Sequence, residues 1–461
     1  MQKIFDIIAD LDTPVSAYLK LRDFEPRFLL ESVERGEHLA RYSFIGLGEA
    51  VKLRLDESGL SINGESHGKP RNQKELLDGF RKALDMAPQM KPEGDELPFK
   101  GGLVGAAGYD VVRYFERLDP AKPGRLETPD AIYVAPRSVL VFDHLTRKMA
   151  LLHEGSEQQR EVLKGKIVEA LRGAIPAGKV GGSYEPAQAS MTPEQFKQAV
   201  LQAQGNIYDG DVYQLVLSVA FHGATDLPPF DVYRALRLLN PSPYMYFCEL
   251  DDVTVAGSSP EALVKLHGSK ASLRPIAGTR PRGHDSKSDR LHEQDLLADP
   301  KEGAEHVMLV DLARNDLGRV ARTGTVHVDP YRAIERYSHV MHIVSGVSGT
   351  LDEGKDAMDL FAAAFPAGTL VGAPKVRAMQ LIDQYETVGR GLYAGTIGYF
   401  GNGGDMDQAI AIRTIVFQGG KYCFQAGAGI VADSQPQAEY EEVLAKSRVL
   451  RRALAMAQEG L

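Results

Sequence analysis

Two glutamates far apart in the chain, Glu305 and Glu442, stand in surroundings that could do chemistry. The first lies in Lys301-Glu302-Gly303-Ala304-Glu305-His306; the second lies in Glu439-Tyr440-Glu441-Glu442, just after Gly427-Ala428-Gly429. A hard cation such as Mg²⁺ usually takes only one or two protein carboxylates and completes its shell with substrate oxygens and water. Two carboxylates converging beside free backbone N–H groups therefore suit a small anionic substrate chelated through a metal. Glycines at a strand end let such a ligand reach the backbone. Each acid also has an ordinary explanation. Glu302 and Glu305 can be first-turn acids favoured by the helix dipole. Glu442 and Lys446 can be an i, i+4 surface pair contributing a few tenths of a kcal/mol, roughly 0.2–0.5.

The elements that must position these groups are legible in outline. Asp299 as cap, Pro300 at the first position and Glu302 closing a capping box predict the start of the Glu305 helix. Glu302, Glu305, His306 and Leu309 then share a face. The second acidic helix is expected to start near Ser434 as cap, with Pro436 and Gln437 behind it and Glu439, Glu442 and Lys446 on one face. Arg413 interrupts the strand-like run from Ala409 to Val416, in phase with Ala411 and Ile415, and a guanidinium there needs a carboxylate partner. His342, in Val340-Met341-His342-Ile343-Val344, reads on its own as a structural histidine. Glu261, in Ser258-Ser259-Pro260-Glu261-Ala262-Leu263, is a turn acid or a general acid whose pKa burial would raise.

The chain has 461 residues, 43% of them hydrophobic, enough for a large core and, by length, two or three domains. With 62 acidic against 53 basic residues, general nucleic-acid binding is disfavoured. Cys248 and Cys423 lie in apolar, strand-like runs and read as inert core thiols. The N-terminus lacks a signal-peptide pattern, and the most apolar stretch, 360–374, is broken by Pro366, Gly368, Gly372 and Pro374. A soluble, cytoplasmic protein with no membrane segment is expected. Residues 1–175 read as an N-terminal region of strands with a few helices. Residues 176–191, rich in Pro, Gly, Ser and Ala, read as a linker. Residues 192–461 read as the catalytic region, opening on a helix with Thr192 as cap, Pro193 at the first position and Gln195 closing the box. Short Gly-rich turns between the late strands favour antiparallel pairing. The fold class is α+β with large antiparallel sheets.

Arg274-Pro275-Ile276-Ala277-Gly278-Thr279-Arg280-Pro281-Arg282-Gly283, the run from Ala304 to Asp316, Tyr337-Ser338-His339-Val340-Met341-His342, Gly368-Thr369-Leu370-Val371-Gly372-Ala373-Pro374-Lys375 and Gln425-Ala426-Gly427-Ala428-Gly429-Ile430-Val431 occur in that order. Together they resemble the chorismate-utilising enzymes, and among these most closely the large subunits of anthranilate synthases, over nearly the whole chain. The resemblance implies a sandwich of large sheets with helices packed outside. It implies Mg²⁺ near Glu305 and Glu442, with Glu302 and Glu439 as secondary ligands, chelating the ring carboxylate of chorismate. The Gly427-Ala428-Gly429 amides would receive a substrate carboxylate. Arg413 and Tyr393 would hold the enolpyruvyl carboxylate, and Thr369 and Lys446 would add polar contacts. Ammonia would attack ring C2 while Glu261 protonates the departing C4 hydroxyl, and His342 matches a family histidine associated with catalysis.

Two positions separate this chain from relatives. Isochorismate and salicylate synthases carry a water-activating lysine where this chain has Gln214. Aminodeoxychorismate synthases typically carry a nucleophilic lysine where it has Ala277. Both differences imply ortho-amination to anthranilate; aminodeoxychorismate synthesis is the alternative, and a catalytically idle tryptophan-sensing subunit is a third reading. Neither cysteine has the context of a glutaminase nucleophile, so the resemblance implies ammonia from a separate glutamine amidotransferase subunit and a hetero-oligomer. Leu29-Leu30-Glu31-Ser32 and Asn240-Pro241-Ser242-Pro243-Tyr244-Met245-Tyr246 resemble the family's tryptophan feedback site, with Ser32, Pro243, Tyr244 and Met245 as the candidate contacts.

Overall fold

The computed structural model describes residues 4–32, 41–92, 97–176, 181–336 and 340–461. Tyr337, Ser338 and His339 of the third motif, and residues 177–180 of the expected linker, lie outside the described residues.

Two large antiparallel sheets, of 12 and 11 strands, account for most of the architecture. Alternating side chains decide how they stack. In Val51–Asp56 the Val and Leu side chains are buried while the intervening Lys52 and Arg54 are half-exposed, the signature of a strand with one apolar face. Most other strands are buried on both faces. Phe28, Tyr246 and Val255 of the first sheet meet Val104, Ile132 and Ile397 of the second in one apolar layer between the sheets. The alternate residues Leu29, Phe247, Leu103 and Tyr133 face outward, where helices cover them. The helices Pro14–Lys20, Pro229–Leu239 and Pro436–Glu459 pack on the first sheet, and Gln73–Met86 and Ala357–Ala364 on the second. This is the expected sandwich with helices outside.

Strands from before and after residues 176–191 enter the same sheets. Pro26–Glu31 pairs with Tyr244–Leu250, and Gly102–Ala107 pairs with Thr396–Gly401. A third, three-stranded sheet of Ile276–Pro281, Val340–Val344 and Ala333–Arg336 lies against the helix Pro300–Gly318. Among the described residues no helix is long and apolar enough to cross a membrane.

The local signals were realised unevenly. Thr192, Pro193 and Gln195 form the predicted capping box. Asp299 caps the Pro300–Gly318 helix through the Lys301 and Glu302 N–H groups. Glu302 does not close that box, because its carboxylate accepts from Arg280 instead (3.3 Å). Ser434 does not cap the last helix. Gln435 occupies the cap position without a side-chain bond, and Ser434 Oγ accepts the Val431 N–H at 3.0 Å. The run 409–416 is not one strand: Met406–Ile410 belongs to the second sheet and Thr414–Gln418 to the first. The chain crosses between them at 411–413, and Arg413 takes φ 49°, the left-handed region uncommon for a non-glycine residue.

Beneath that crossing lies a buried ion pair. Arg390 and Glu386 are each only 4% exposed. Arg390 donates twice to Glu386 (3.0 and 2.7 Å), to the Leu370 carbonyl (2.7 Å) and to the Val216 carbonyl (2.9 Å). Glu386 also accepts from the Ser218 N–H and hydroxyl at 2.9 and 2.6 Å. Breaking such a pair from one side strands a buried charge at a cost of about 3–5 kcal/mol. Arg390→Met is therefore expected to lower stability by that order in urea unfolding. The double variant Arg390→Met/Glu386→Leu should recover part of the loss, and a double variant less stable than the single would contradict this account.

Candidate active site

One cavity of about 170 Å³ gathers Glu261, Thr369, Tyr393, Arg413, Gly427, Gly429 and Lys446, with Val216, Ile412 and Leu450 among its apolar walls. Glu261 joins two strands that lie in different sheets, Val253–Ser259 and Ala262–His267, and its carbonyl accepts the Ile410 N–H at 3.0 Å. Thr369 sits in the turn Gly368–Leu370 and donates its hydroxyl to Glu261 Oε1 at 3.1 Å. Burial pushes the Glu261 carboxyl up to about 7, against the opposing pull of Thr369, Lys446 and Arg413.

Arg413 reaches this cavity because of its left-handed backbone. Its guanidinium has no hydrogen-bond or ion-pair partner among the described residues, and burial holds its pKa below the usual arginine range despite the field of Glu261. An arginine in that condition calls for an anionic ligand. The floor is the strand Lys421–Ile430. Its neighbour Thr414–Gln418 pairs with it only as far as Phe424, so among the described residues no strand lies beside the edge from Gln425 onward on that side. The opposite edge is fully paired, Gly429 with Val216 and Gly427 with Ser218. Space requires glycine at 427, where a Cβ would lie 2.7 Å from the Tyr393 hydroxyl and 2.8 Å from the Leu217 carbonyl oxygen; one on Gly429 would meet only the movable end of Gln214, Nε2 at 2.5 Å. Ala428, expected at the ligand, turns its methyl into the core and is fully buried. Gln214 abuts Gly429 from the strand Gln214–Ala224 but is not itself a wall of the cavity.

The histidine and the acids come from three other elements. His342 lies on Val340–Val344, outside the cavity wall, with Nδ1 3.1 Å from the Gly278 carbonyl and 3.0 Å from Thr279 Oγ1. A carbonyl only accepts, so Nδ1 carries the proton and Nε2 is the basic nitrogen. Burial lowers the His342 pKa, the Gly278 bond opposes, and Arg413 adds to the lowering; the ring is neutral near pH 7. Glu305 is half-buried. Its pKa is raised first by burial and then by Glu302, with Glu442 on the other helix contributing in the same direction. Glu439 is likewise raised by burial and by Glu442. Glu442 pairs with Lys446 at 2.7 Å, so the surface-pair geometry is present, and Lys446 also donates to the Gly427 carbonyl at 3.1 Å. The residues the sequence reading overlooked are Glu386 and Arg390. The Arg390 guanidinium stacks on the Tyr393 ring, 5.5 Å from its centroid. Their i, i+4 spacing just before Tyr393 was the available signal.

A family model for chorismate binding enzymes matches residues 25–452. The chain belongs to the chorismate binding enzyme family. It is 44% identical over 458 residues to anthranilate synthase component 1 from Thermus thermophilus, covering 98% of each chain. It is 44% identical over 477 residues to the Pseudomonas aeruginosa protein of the same name, covering 99% of this chain and 96% of that one. Among solved structures, anthranilate synthase component I from Streptococcus pneumoniae superposes with a TM-score of 0.80 at 36% identity, over 96% of this chain and 99% of that one. The menaquinone-specific isochorismate synthase from Escherichia coli shares the fold, with a TM-score of 0.71 at 20% identity, over 97% and 92%.

The acids of this chorismate binding enzyme suit a hard cation. Among the described residues no three His, Cys, Asp or Glu side chains gather into a metal cage. Mg²⁺ needs none, since it binds through one or two carboxylates plus substrate and water oxygens. Glu305 and Glu439, both raised partly by Glu442, form a set of oxygen donors whose mutual repulsion a cation would relieve.

A second cavity, of about 440 Å³, gathers Ser32, Pro243, Tyr244 and Met245, all four expected feedback residues. Asn240 and Ser242 anchor this loop on Ser258: the Asn240 amide donates to Ser258 Oγ at 2.6 Å. Tyr244 donates to Asp407 at 3.0 Å, and Lys265 pairs with Asp407 at 2.9 Å. Pro260 and Ala262 line this cavity while Glu261 between them lines the smaller one.

The Glu261 shift predicts a pH dependence of stability. Its folded pKa, about 7, lies above the ordinary 4.5. Between those values the native state holds a proton that the unfolded state releases, so this contribution to stability is lost as pH rises from 4.5 through 7. Unfolding midpoints of Glu261→Gln should rise relative to the parent chain between pH 5 and pH 8. A difference that does not change with pH contradicts the assignment.

Proposed function

We propose that this chain converts chorismate and ammonia to anthranilate and pyruvate, the first committed step of tryptophan biosynthesis, with Mg²⁺ as cofactor. The observation that carries the reading is the half-buried Arg413, without a side-chain partner among the described residues, in one cavity with Glu261, floored by an open glycine edge. Arg413 and Tyr393 hold the enolpyruvyl carboxylate, and the 427–429 edge receives the ring carboxylate. Glu305 and Glu442, with Glu302 and Glu439 behind them, hold Mg²⁺, which when bound supplies charge neutralisation and polarisation at that carboxylate. Ammonia forms the C2–N bond as the C4–O bond breaks, and Glu261, protonated below about pH 7, gives its proton to the leaving oxygen. The added nitrogen loses its surplus proton to solvent; His342, with Nε2 basic, then takes the C2 proton as the C3–O bond breaks, and the departing enolpyruvate takes a proton at its methylene carbon to become pyruvate. Gln214 has no basic group to deprotonate water, and Ala277 has none to attack the ring. Both features favour ammonia and the ortho product over isochorismate or aminodeoxychorismate.

The ammonia comes from a partner. Cys423 is pushed up to about 12 by burial and Cys248 is raised well above the thiol range by burial; neither is a glutaminase nucleophile. A separate glutamine amidotransferase subunit fits the "component 1" in the relatives' names. The 440 Å³ cavity, with aromatic walls and paired charges at Asp407 and Lys265, suits tryptophan as the feedback ligand.

Purified chain with chorismate, Mg²⁺ and an ammonium salt is expected to yield anthranilate fluorescence. Glu305→Gln and Glu442→Gln should each abolish turnover while unfolding midpoints stay near the parent's. Aminodeoxychorismate as sole product would move the chain to that alternative, and no consumption of chorismate would sink the enzyme reading. The chain contains no tryptophan, so added tryptophan is the only indole emitter. Its fluorescence anisotropy should rise on binding, and Ser32→Leu should reduce that rise; flat anisotropy with the parent chain counts against the feedback site.

A further inference from the structure

His306 is fully buried beside Glu305, on a helix whose other inward residues include Leu309, Val310 and Ala313. A leucine would fill that space without a polar atom to satisfy. Instead His306 Nε2 makes a single 2.7 Å hydrogen bond to the Ser345 hydroxyl, and its Nδ1 has no partner among the described residues. Leaving a buried polar atom unpaired is costly, on the order of 1–3 kcal/mol, so a histidine here calls for a role that apolar packing cannot fill.

The partner explains the choice. Ser345, itself fully buried, is where the three strands of the small sheet come together. It directly follows Val340–Val344. Its N–H donates to the Pro275 carbonyl at 3.1 Å, at the start of Ile276–Pro281. Its hydroxyl accepts the Arg332 N–H at 2.9 Å, at the start of Ala333–Arg336. One serine thus collects the ends of all three strands, through its backbone N–H and its hydroxyl, and the helix Pro300–Gly318 attaches to that hydroxyl through one imidazole.

We propose that His306 is a positioning residue: through Ser345 it fixes the helix carrying Glu305 against the sheet carrying His342, so that the cation-binding acid and the base keep one relative placement. The inference rests on the functional reading above for the roles of Glu305 and His342, but the pin itself is a matter of geometry. Supporting residues around a metal site typically change affinity or activity by roughly 10-fold to 100-fold when removed.

The test uses the full chain with His306→Ala, His306→Gln and Ser345→Ala. Glutamine places an amide group near the Nε2 position, so it should keep the bond. Mn²⁺ binding read by electron paramagnetic resonance in the presence of chorismate should weaken by roughly 10-fold or more in His306→Ala and Ser345→Ala. It should be restored towards the parent value in His306→Gln, and the two alanine changes combined should cost no more than either alone. Hydrogen exchange should rise together in Val340–Val344 and the first half of the Pro300–Gly318 helix in the alanine variants, and fall back in His306→Gln. Parent-like Mn²⁺ affinity, or parent-like exchange, in both Ser345→Ala and His306→Ala overturns the pin. If His306→Ala does not fold, Ser345→Ala and His306→Gln decide the question alone. A parent chain inert toward chorismate would overturn the functional reading instead, because the exchange comparison judges the pin without substrate turnover.

Discussion

The Arg390 guanidinium is the constraint on which the site depends. Buried with Glu386, it must be satisfied at every nitrogen or the fold carries an uncompensated charge. The acceptors that satisfy it are the carbonyls of Leu370 and Val216 and the Glu386 carboxylate, which in turn takes the Ser218 N–H and hydroxyl. Those groups belong to the turn of Thr369, to the strand paired with the glycine edge, and to the segment leading to Tyr393. Gln425 extends the set by donating to Ser218 Oγ at 2.7 Å. Such a network is cooperative, and its members have few alternative partners in the core. The placement of Thr369, Tyr393 and the cavity floor is therefore one structural decision.

The upper half of the site depends on a different device, a chain that leaves one sheet for the other. Between Met406–Ile410 and Thr414–Gln418 the backbone crosses the sandwich, and the strand beside Lys421–Ile430 ends at its pairing with Phe424. The crossing does two things together. It opens the edge beyond Phe424, and through the 49° φ of Arg413 it turns a guanidinium into the space so exposed. A continuous strand would have closed that edge and set Arg413 in its alternation. Strain of order 1–3 kcal/mol at such a residue persists only where the surroundings over-determine it, as the two flanking sheets do here.

That crossing also marks where the sequence ceased to be legible. Helix starts could be read because their signals are local: Thr192 with Gln195, and Asp299 with Pro300, act within one turn. The strands with alternating or uniformly apolar runs were legible for the same reason. The run 409–416 satisfied every local criterion for a single strand, and the break is decided by distant partners, Ala262 opposite Ala409 in one sheet and Val255 opposite Val416 in the other. Ser434 and Glu302 failed differently: each had a sound local use, and a nearby group, the Val431 N–H or Arg280, offered a better one. Glu386 and Arg390 carried a signal in their i, i+4 spacing, but an ambiguous one, because such an acid–base pair looks the same whether it faces water or a core. Most candidate site residues were named on a family resemblance; spacing alone supported no more than acids on two helices and an arginine in need of a partner.

The two cavities share a wall one residue thick. Pro260 and Ala262 face the larger space and Glu261 the smaller, because successive residues of an extended chain point to opposite sides. Ile276, Glu335 and Val344, from all three strands of the small sheet, line the larger space as well, and His342 lies two residues from Val344 on the same strand. On the roles proposed for Glu261 and His342, a ligand that fits the larger cavity only in one placement of these walls would bias the two together. Linkage makes the relation reciprocal: whatever holds Glu261 and His342 in their working positions changes the affinity of the larger cavity by the same factor. In a close-packed interior such walls have few alternative arrangements, so under the proposed reading a modest shift at a ligand of the larger cavity would reach Glu261 without touching the substrate.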